Sequence, residues 1–94
     1  MAIAYLTPAA RQDLSVIWDY TNERWGIEQA EKYTEHIIEM CAVLTEPVTG
    51  SLSADDIRSG YQKVLYGKHL IFFRIEKEVI EVVRILHQSM DVEL

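Results

Sequence analysis

Apolar and polar residues alternate with a helical period in the first half of the chain and a strand period in the last third. The apolar run Ile3–Leu6 predicts a first strand. Thr7 is a suitable N-cap and Pro8 a suitable first helical residue, so a helix should begin there. Gly26 should end it, because glycine tolerates left-handed backbone. The helical stripe comprises Ala10, Leu14, Ile17 and Thr21, flanked by Trp18 and Trp25.

A second helix is predicted over Glu28–Glu46, since Pro47 forbids its continuation. The link at Gly26 is so short that the two helices must form an antiparallel hairpin. Residues 47–60 are a loop by composition. The inward stripe of this second helix comprises Ala30, Tyr33, Ile37, Met40, Cys41 and Leu44.

The last third reads as three strands joined by two tight turns. Gly67-Lys68 separates Tyr61–Tyr66 from His69–Glu76, and a glycine that leads a two-residue loop indicates a type II′ hairpin turn. A second turn falls near Lys77-Glu78, before the β-branched run that opens at Val79. The predicted fold class is therefore α+β: an N-terminal strand, an antiparallel helical hairpin, then a three-stranded antiparallel meander whose apolar face the helices cover.

Strict alternation with two-residue loops assigns each meander residue to one of two faces. The predicted core face carries Val64, Tyr66, Ile71, Phe73, Ile75, Ile80, Val82 and Leu86, with His69 and Arg84 as its ionisable members. The predicted partner face carries Tyr61, Lys63, Leu65, Leu70, Phe72, Arg74, Glu81, Val83, Ile85 and His87. On this register Arg74 lies opposite Glu81, and Arg84 should meet carbonyls or an acid of the helices, near Glu31 or Glu35.

Composition narrows the class of protein. A length of 94 residues with 49% hydrophobic content fits one globular domain, residues 1–94. No signal peptide or membrane-length apolar run is present, and a single cysteine, Cys41, allows no internal disulfide. We therefore expect a cytoplasmic protein. The net charge of −6 argues against broad nucleic-acid affinity.

The charge is unevenly distributed. Residues 1–57 hold three Lys/Arg against ten Asp/Glu, whereas residues 58–94 hold six against five. Four cations, Arg58, Lys63, Lys68 and Arg74, follow one another with no acid between them. Two interpretations are open: a binding patch, or a solvated surface balanced by acids from elsewhere in the fold.

Catalytic and metal-binding patterns are absent from the sequence. His36, His69 and His87 lack the spacing of a metal site, and Cys41 lies on a helical stripe that favours a buried, inert thiol. The loop serines have no recognisable histidine and acid relay. We predict no catalytic residues, no metal and no cofactor.

Four stretches resemble the ParE toxin family of bacterial type II toxin–antitoxin systems, within the broader RelE/ParE group. They are DLSVIWDYTNERWGIEQAEKY, DDIRSGYQKV, YGKHLIFFRI and IEVVRILHQSMD, and the resemblance runs from about Ala9 to about Val92. It implies a RelE/ParE-like fold and a toxin that inhibits DNA gyrase by binding, without catalysis. It also implies a ParD-like antitoxin whose extended arm wraps the toxin in a hetero-oligomer, with no direct sequence-specific nucleic-acid binding.

The resemblance suggests two sets of contact residues. Expected gyrase contacts are Arg58, Lys63, Lys68, Arg74 and His87, although His87 is equally suited to cap backbone. Expected antitoxin contacts are Trp18, Tyr20, Tyr33, Leu70, Phe72 and Ile85, while Trp25 is expected to pack at the junction between the helices.

Two alternatives to gyrase inhibition remain open. One is a ribosome-dependent messenger-RNA endoribonuclease of the RelE type, with His87, Arg74, Lys63 and Tyr61 sharing one sheet face. The acidic net charge and a C-terminal stretch poor in basic residues argue against it. The other is an inactive toxin homologue that keeps antitoxin binding. Gln62 and Gln88 stand where ParE-like chains commonly carry Arg or Lys, a departure that implies either reduced toxicity or a gyrase contact made elsewhere.

Overall fold

The computed structural model describes residues 3–42, 52–53, 60–76 and 79–89, and these form one mixed sheet and two helices. The elements are β1 (Ile3–Leu6), α1 (Pro8–Trp25), α2 (Ile27–Ala42), β2 (Leu52–Ser53), β3 (Gln62–Tyr66), β4 (His69–Glu76) and β5 (Val79–His87). The strand order is β1-β5-β4-β3-β2, with β1 parallel to β5 and the other neighbours antiparallel. The predicted α+β order of elements is confirmed.

Both predicted ends of α1 are confirmed. The Thr7 hydroxyl accepts a hydrogen bond from the Ala10 N–H at 3.1 Å and donates one to the Val83 carbonyl at 2.8 Å, which fixes the helix start against β5. Gly26 follows the last residue with φ 93°, and its N–H donates to the Asn22 carbonyl at 2.9 Å. The second helix begins at Ile27, one residue earlier than predicted. Its predicted end at Glu46, with Leu44, lies outside the described residues.

The meander matches its predicted strands closely. Gly67 has φ 57°, a left-handed value that a tight turn there requires. Glu76 pairs with Val79, as a two-residue loop demands, although Lys77-Glu78 itself lies outside the described residues. The sequence missed β2, in which Leu52 pairs with Lys63 inside the predicted loop. Two residues are too few to show a period, so no pattern signalled this strand.

A β-bulge in β5 overturns part of the predicted face assignment. Phe73 lies opposite Val82 and Phe72 opposite Arg84, so Val83 is an extra residue. One extra residue exchanges the two faces for everything beyond it, because side chains alternate along a strand.

The exchange moves four residues. Ile85 lies opposite Ile71 and His87 opposite His69, which places both on the helix-covered face. Arg84 and Leu86 move to the other face, opposite Phe72 and Leu70. The predictions that put Ile85 and His87 on the partner face, and Arg84 and Leu86 on the core face, are therefore wrong.

Buried side chains form two clusters, one on each face of the sheet. The larger joins the predicted helical stripes to the sheet through Ala10, Ile17, Ile37, Cys41, Val64, Ile71, Phe73, Ile80, Val82 and Ile85. The smaller comprises Tyr61, Phe72 and Leu86, with Leu70 and Val83 packed against it. Burial raises the pKa of the Cys41 thiol to about 11, in keeping with an inert core thiol. Within the described residues, neither helix is long and apolar enough to cross a membrane.

Candidate functional site

A cleft of about 320 Å³ opens where the junction of the two helices meets one end of the sheet. The helices contribute Tyr20, Thr21, Trp25, Gln29 and Tyr33. The β3–β4 turn and the strand ends contribute Gly67, Lys68, His69 and His87. We refer to these nine residues as the junction cleft.

Tyr33 fastens α2 to the β3–β4 turn. Its hydroxyl lies 2.6 Å from Nδ1 of His69 and 3.4 Å from the Lys68 amide nitrogen, which donates to it. A Cβ on Gly67 would lie 2.7 Å from the same hydroxyl. Glycine is therefore needed at this position for two reasons, the positive φ and the close approach of Tyr33.

His69 and His87 form an edge-to-face pair with ring centroids 5.4 Å apart. The Ser89 N–H donates to Nδ1 of His87 at 3.2 Å, so a neutral His87 carries its proton on Nε2. In His69, Nδ1 is the ring nitrogen that faces the Tyr33 hydroxyl. Both imidazoles thus use Nδ1 within the protein, and Nε2 of each has no hydrogen-bond partner among the residues that the structure describes.

The electrostatics of the junction cleft are one-sided. Its lining includes one lysine and two histidines and, within the described part of the chain, no Asp or Glu. Burial, assisted by the neighbouring His87, lowers the pKa of His69. Burial also raises the pKa of Tyr33, so this phenol stays protonated at neutral pH. The cleft is therefore neutral to cationic in a protein of net charge −6.

Two large aromatic side chains at the cleft are exposed, Trp25 at 63% and Tyr20 at 50%. The Arg24 guanidinium lies 5.1 Å from the centre of the Tyr20 ring. The expectation that Trp25 packs between the helices is wrong. Two small residues, Thr21 and Ala30, occupy buried positions of the two helices instead.

The five expected gyrase contacts do not come together. Lys68 and His87 meet in the junction cleft, whereas Lys63 pairs with Phe72 on the opposite face of the sheet. Arg74 bonds Glu81 at 3.1 Å and lies 3.7 Å from Glu76, which confirms the predicted cross-strand pair. Arg58 lies outside the described residues.

The six expected antitoxin contacts are also divided. Tyr20 and Tyr33 line the junction cleft, and Leu70 is half-buried on the opposite sheet face. Trp18 lines a separate groove between α1 and α2, opposite the exposed Ile38. Phe72 is fully buried and Ile85 is 2% exposed, because the bulge turned Ile85 into the core. Neither residue offers surface to a partner.

Arg84 has a different partner from the one expected. Its Nε lies 2.7 Å from Oδ2 of Asp13 and its Nη2 lies 2.9 Å from Oδ1, so neither Glu31 nor Glu35 neutralises it. Strand β1 ends at Leu6, and beyond that point Asp13 supplies the acceptor for the Ile85 N–H at 3.0 Å. Arg84 has this partner because the bulge moves it off the predicted face, and no residue pattern indicated the bulge.

No metal centre is found in the described ranges, where no three His, Cys, Asp or Glu side chains gather. The sequence did not predict that His69, His87 and Tyr33 lie together. Part of the signal was available, since Tyr33 lies on the inward helical stripe and His69 on the core face. His87 joins them through the bulge.

Comparison with known proteins identifies the family. Residues 4–92 match the family model described as the ParE toxin of type II toxin-antitoxin system, parDE. Toxin ParE1 of Mycobacterium tuberculosis is 46% identical over 92 residues, covering 94% of this chain and 91% of that protein. Toxin ParE1 of Caulobacter vibrioides is 35% identical over 86 residues, covering 92% and 88%.

The fold agrees with this match. A solved structure titled chromosomal ParDE TA system from P. aeruginosa superposes with a TM-score of 0.76 at 22% identity, covering 93% of this chain and 96% of that one. The family match spans nearly the whole described fold, including both helices and the junction cleft. The chain belongs to the ParE toxin family of type II toxin–antitoxin systems.

Proposed function

We propose that this toxin inhibits DNA gyrase by binding it and that a ParD-like antitoxin holds it inactive in a hetero-oligomer. Membership of the ParE family supports the toxin role. The gyrase target is what the resemblance to ParE toxins implies. The proposal is that the toxin traps gyrase on cleaved DNA through an interface and performs no reaction of its own.

The observation that favours binding over catalysis is the dispersal of the residues that a RelE-type ribonuclease would need on one face. His87 lies on the helix-covered face, whereas Lys63 and Arg74 lie on the other. Arg74 is also held by Glu81 and Glu76, which weakens it as a stabiliser of a phosphorane. Binding requires no such convergence.

Lys63 and Lys68 are the strongest candidates for gyrase contacts. Neither makes an ion pair with any residue that the structure describes, and Lys68 is exposed. Exposed Leu65 lies between them on β3 and adds apolar area. Arg74 and His87, with Arg58, complete the proposed set.

The helices provide the surface for the antitoxin arm. Large apolar side chains exposed on them are Val16, Tyr20, Trp25, Ile27 and Ile38. So much exposed apolar surface on two helices is typical of an interface that a partner covers. The groove at Trp18 lies on this surface, and we place the arm there, with Tyr20 and Tyr33 as further contacts. Leu70 would contact a second segment of the arm along the opposite face of the sheet.

A supercoiling assay with purified gyrase tests the proposal. The reaction is stopped with detergent and protease, and linear plasmid is measured with and without the antitoxin. We expect linear product that the antitoxin suppresses, and a loss of at least tenfold in potency for Lys68→Ala. Lys32→Ala is the matched control, because Lys32 is an exposed lysine on α2 that does not line the junction cleft.

Two outcomes would overturn the proposal. Cut transcripts with intact gyrase activity would indicate the ribonuclease. A folded chain that binds antitoxin but neither poisons gyrase nor slows growth would indicate an inactive homologue.

A further inference from the structure

We propose that the junction cleft is a binding site for a nucleotide, with the base against Trp25 and Tyr20 and the phosphate held by Lys68 and the two imidazoles. The ligand is an aromatic base that carries a phosphate. It has two sources: a free nucleotide such as ADP, or one residue of a single-stranded nucleic acid. The proposal does not depend on gyrase as the target.

The charge of the cleft selects an anion. The chain carries 15 Asp and Glu and has a net charge of −6, yet none of the described residues that line the cleft is acidic. Lys68 is exposed at the rim and forms no ion pair with the described residues. An anion therefore meets attraction in the cleft, although the protein as a whole carries a net negative charge.

The two imidazoles add hydrogen-bond donors. Ser89 engages Nδ1 of His87, and the Tyr33 hydroxyl lies against Nδ1 of His69. A neutral His87 therefore carries its proton on Nε2, a donor for which the described residues supply no acceptor. Nε2 of His69 also has no described partner, and it is a donor when the ring is protonated or when the Tyr33 hydroxyl donates to Nδ1. Phosphate oxygens are acceptors only, so these imidazoles beside a lysine match a phosphate.

The aromatic residues select a planar group. Trp25 and Tyr20 are the most exposed aromatic side chains of α1, and both lie on the helix wall of the cleft. Bases stack on exposed aromatic rings whatever their identity, as they do in proteins that bind single-stranded nucleic acid. The volume of about 320 Å³ lies at the lower end of small-ligand sites and suits one nucleotide.

Tryptophan fluorescence and calorimetry test this site directly. In a Trp18→Phe background, Trp25 is the remaining tryptophan and reports on the cleft. The purified toxin is titrated with ADP, with adenosine, with a short single-stranded oligonucleotide, and with the same strand lacking its bases. We expect ADP to quench Trp25 and adenosine to bind at least tenfold more weakly. Tighter binding of the strand than of ADP would assign nucleic acid as the source, and the reverse would assign a free nucleotide.

Variants separate this site from adventitious binding. Lys68→Ala should weaken ADP binding at least tenfold and reduce its salt dependence, whereas Lys32→Ala should leave both unchanged. Trp25→Ala should cause a similar loss by calorimetry, and the exposure of Trp25 means that this variant should fold. Absence of binding of ADP and of both strands at millimolar concentration, or binding that Lys68→Ala and Trp25→Ala leave unchanged, would overturn the proposal. No gyrase is present, so failure here leaves the gyrase proposal standing.

Discussion

Asp13 and Arg84 form a bidentate ion pair between α1 and β5, in which Nε of Arg84 lies 2.7 Å from Oδ2 of Asp13 and Nη2 lies 2.9 Å from Oδ1. The same Oδ2 accepts the Ile85 N–H at 3.0 Å. The pair raises the pKa of Arg84 through the hydrogen bonds to Asp13. Arg84 and Ile85 directly follow Val83, the extra residue of the bulge. Because Asp13 bonds both of them, it is the side chain that secures the bulge, and with it the approach of His87 to His69.

We expect Asp13→Ala to lower the free energy of unfolding by about 2 kcal/mol, because it removes two charge-assisted hydrogen bonds and the acceptor of the Ile85 N–H. For a domain of this size that corresponds to a fall in Tm of about 10 °C. Urea denaturation and thermal unfolding measure it. Glu81→Ala breaks the pair with Arg74, whose side chain is 44% exposed, and should cost less than about 1 kcal/mol. Equal losses in the two variants would contradict the assigned role of Asp13.

Because of the bulge, Ile85 is a core residue and not a surface residue. Ile85 is 2% exposed in the larger core cluster, so Ile85→Ala should lower the free energy of unfolding by about 2 to 5 kcal/mol. Leu65→Ala is the control, because Leu65 is 52% exposed and should change stability by less than about 1 kcal/mol. If chemical denaturation showed only a small loss of stability for Ile85→Ala, β5 would alternate strictly and would contain no bulge.

The sequence was sufficient for those features that follow from local chemistry. Thr7, Pro8 and Gly26 fixed the bounds of α1, and the glycine at Gly67 fixed the β3–β4 turn, because caps and turns depend on a few adjacent residues. The register was predictable only up to Val82. A bulge depends on what packs against both strands and on the acceptor that Asp13 supplies from another element, and neither is visible in the pattern of β5.

The composition of the junction cleft depends on the single extra residue of the bulge, Val83. Alternation placed His87 with Lys63 and Arg74, which suggested a cationic sheet face, whereas the bulge placed it with His69. The prediction that Trp25 packs between the helices was wrong for a related reason. Helical spacing puts Trp25 beside the stripe, but the structure leaves it exposed, and only the fit of two helices decides that.

Gly67→Ala and Gly26→Ala should both destabilise the fold, because both glycines have positive φ. The backbone strain is about 1 to 2 kcal/mol at Gly67 and up to about 3 kcal/mol at Gly26, whose ψ of 170° lies in a region nearly restricted to glycine. At Gly67 the new Cβ would also lie 2.7 Å from the Tyr33 hydroxyl, whereas at Gly26 it would meet nothing within 4 Å. Chemical denaturation should therefore show a loss in both variants, and the side-chain NMR signals of His69 should shift in Gly67→Ala alone. An unchanged His69 in Gly67→Ala would show that Tyr33 adjusts freely.

The lowered pKa of His69 predicts a pH dependence of stability. Burial is the larger cause and His87 the smaller, so the folded protein holds this ring neutral to a lower pH than the unfolded chain does. The unfolded chain gains the proton near pH 6.5. The free energy of unfolding should thus be unaffected by His69 well above pH 6.5 and should decrease as the pH falls below it toward the folded pKa.

Denaturation of the wild type and of His69→Gln between pH 5 and 8 measures this effect, since the difference in slope isolates one ring from the acidic groups that titrate in both proteins. We expect the wild type to lose stability faster than the variant as the pH falls below 6.5. In an NMR titration, His87→Gln should raise the pKa of His69 without restoring its usual value, because burial remains. Tyr33, Lys68 and His87 surround the ring, and no described acid lines the cleft to favour the imidazolium. A His69 that titrates at or above its usual value would contradict the buried, neutral ring.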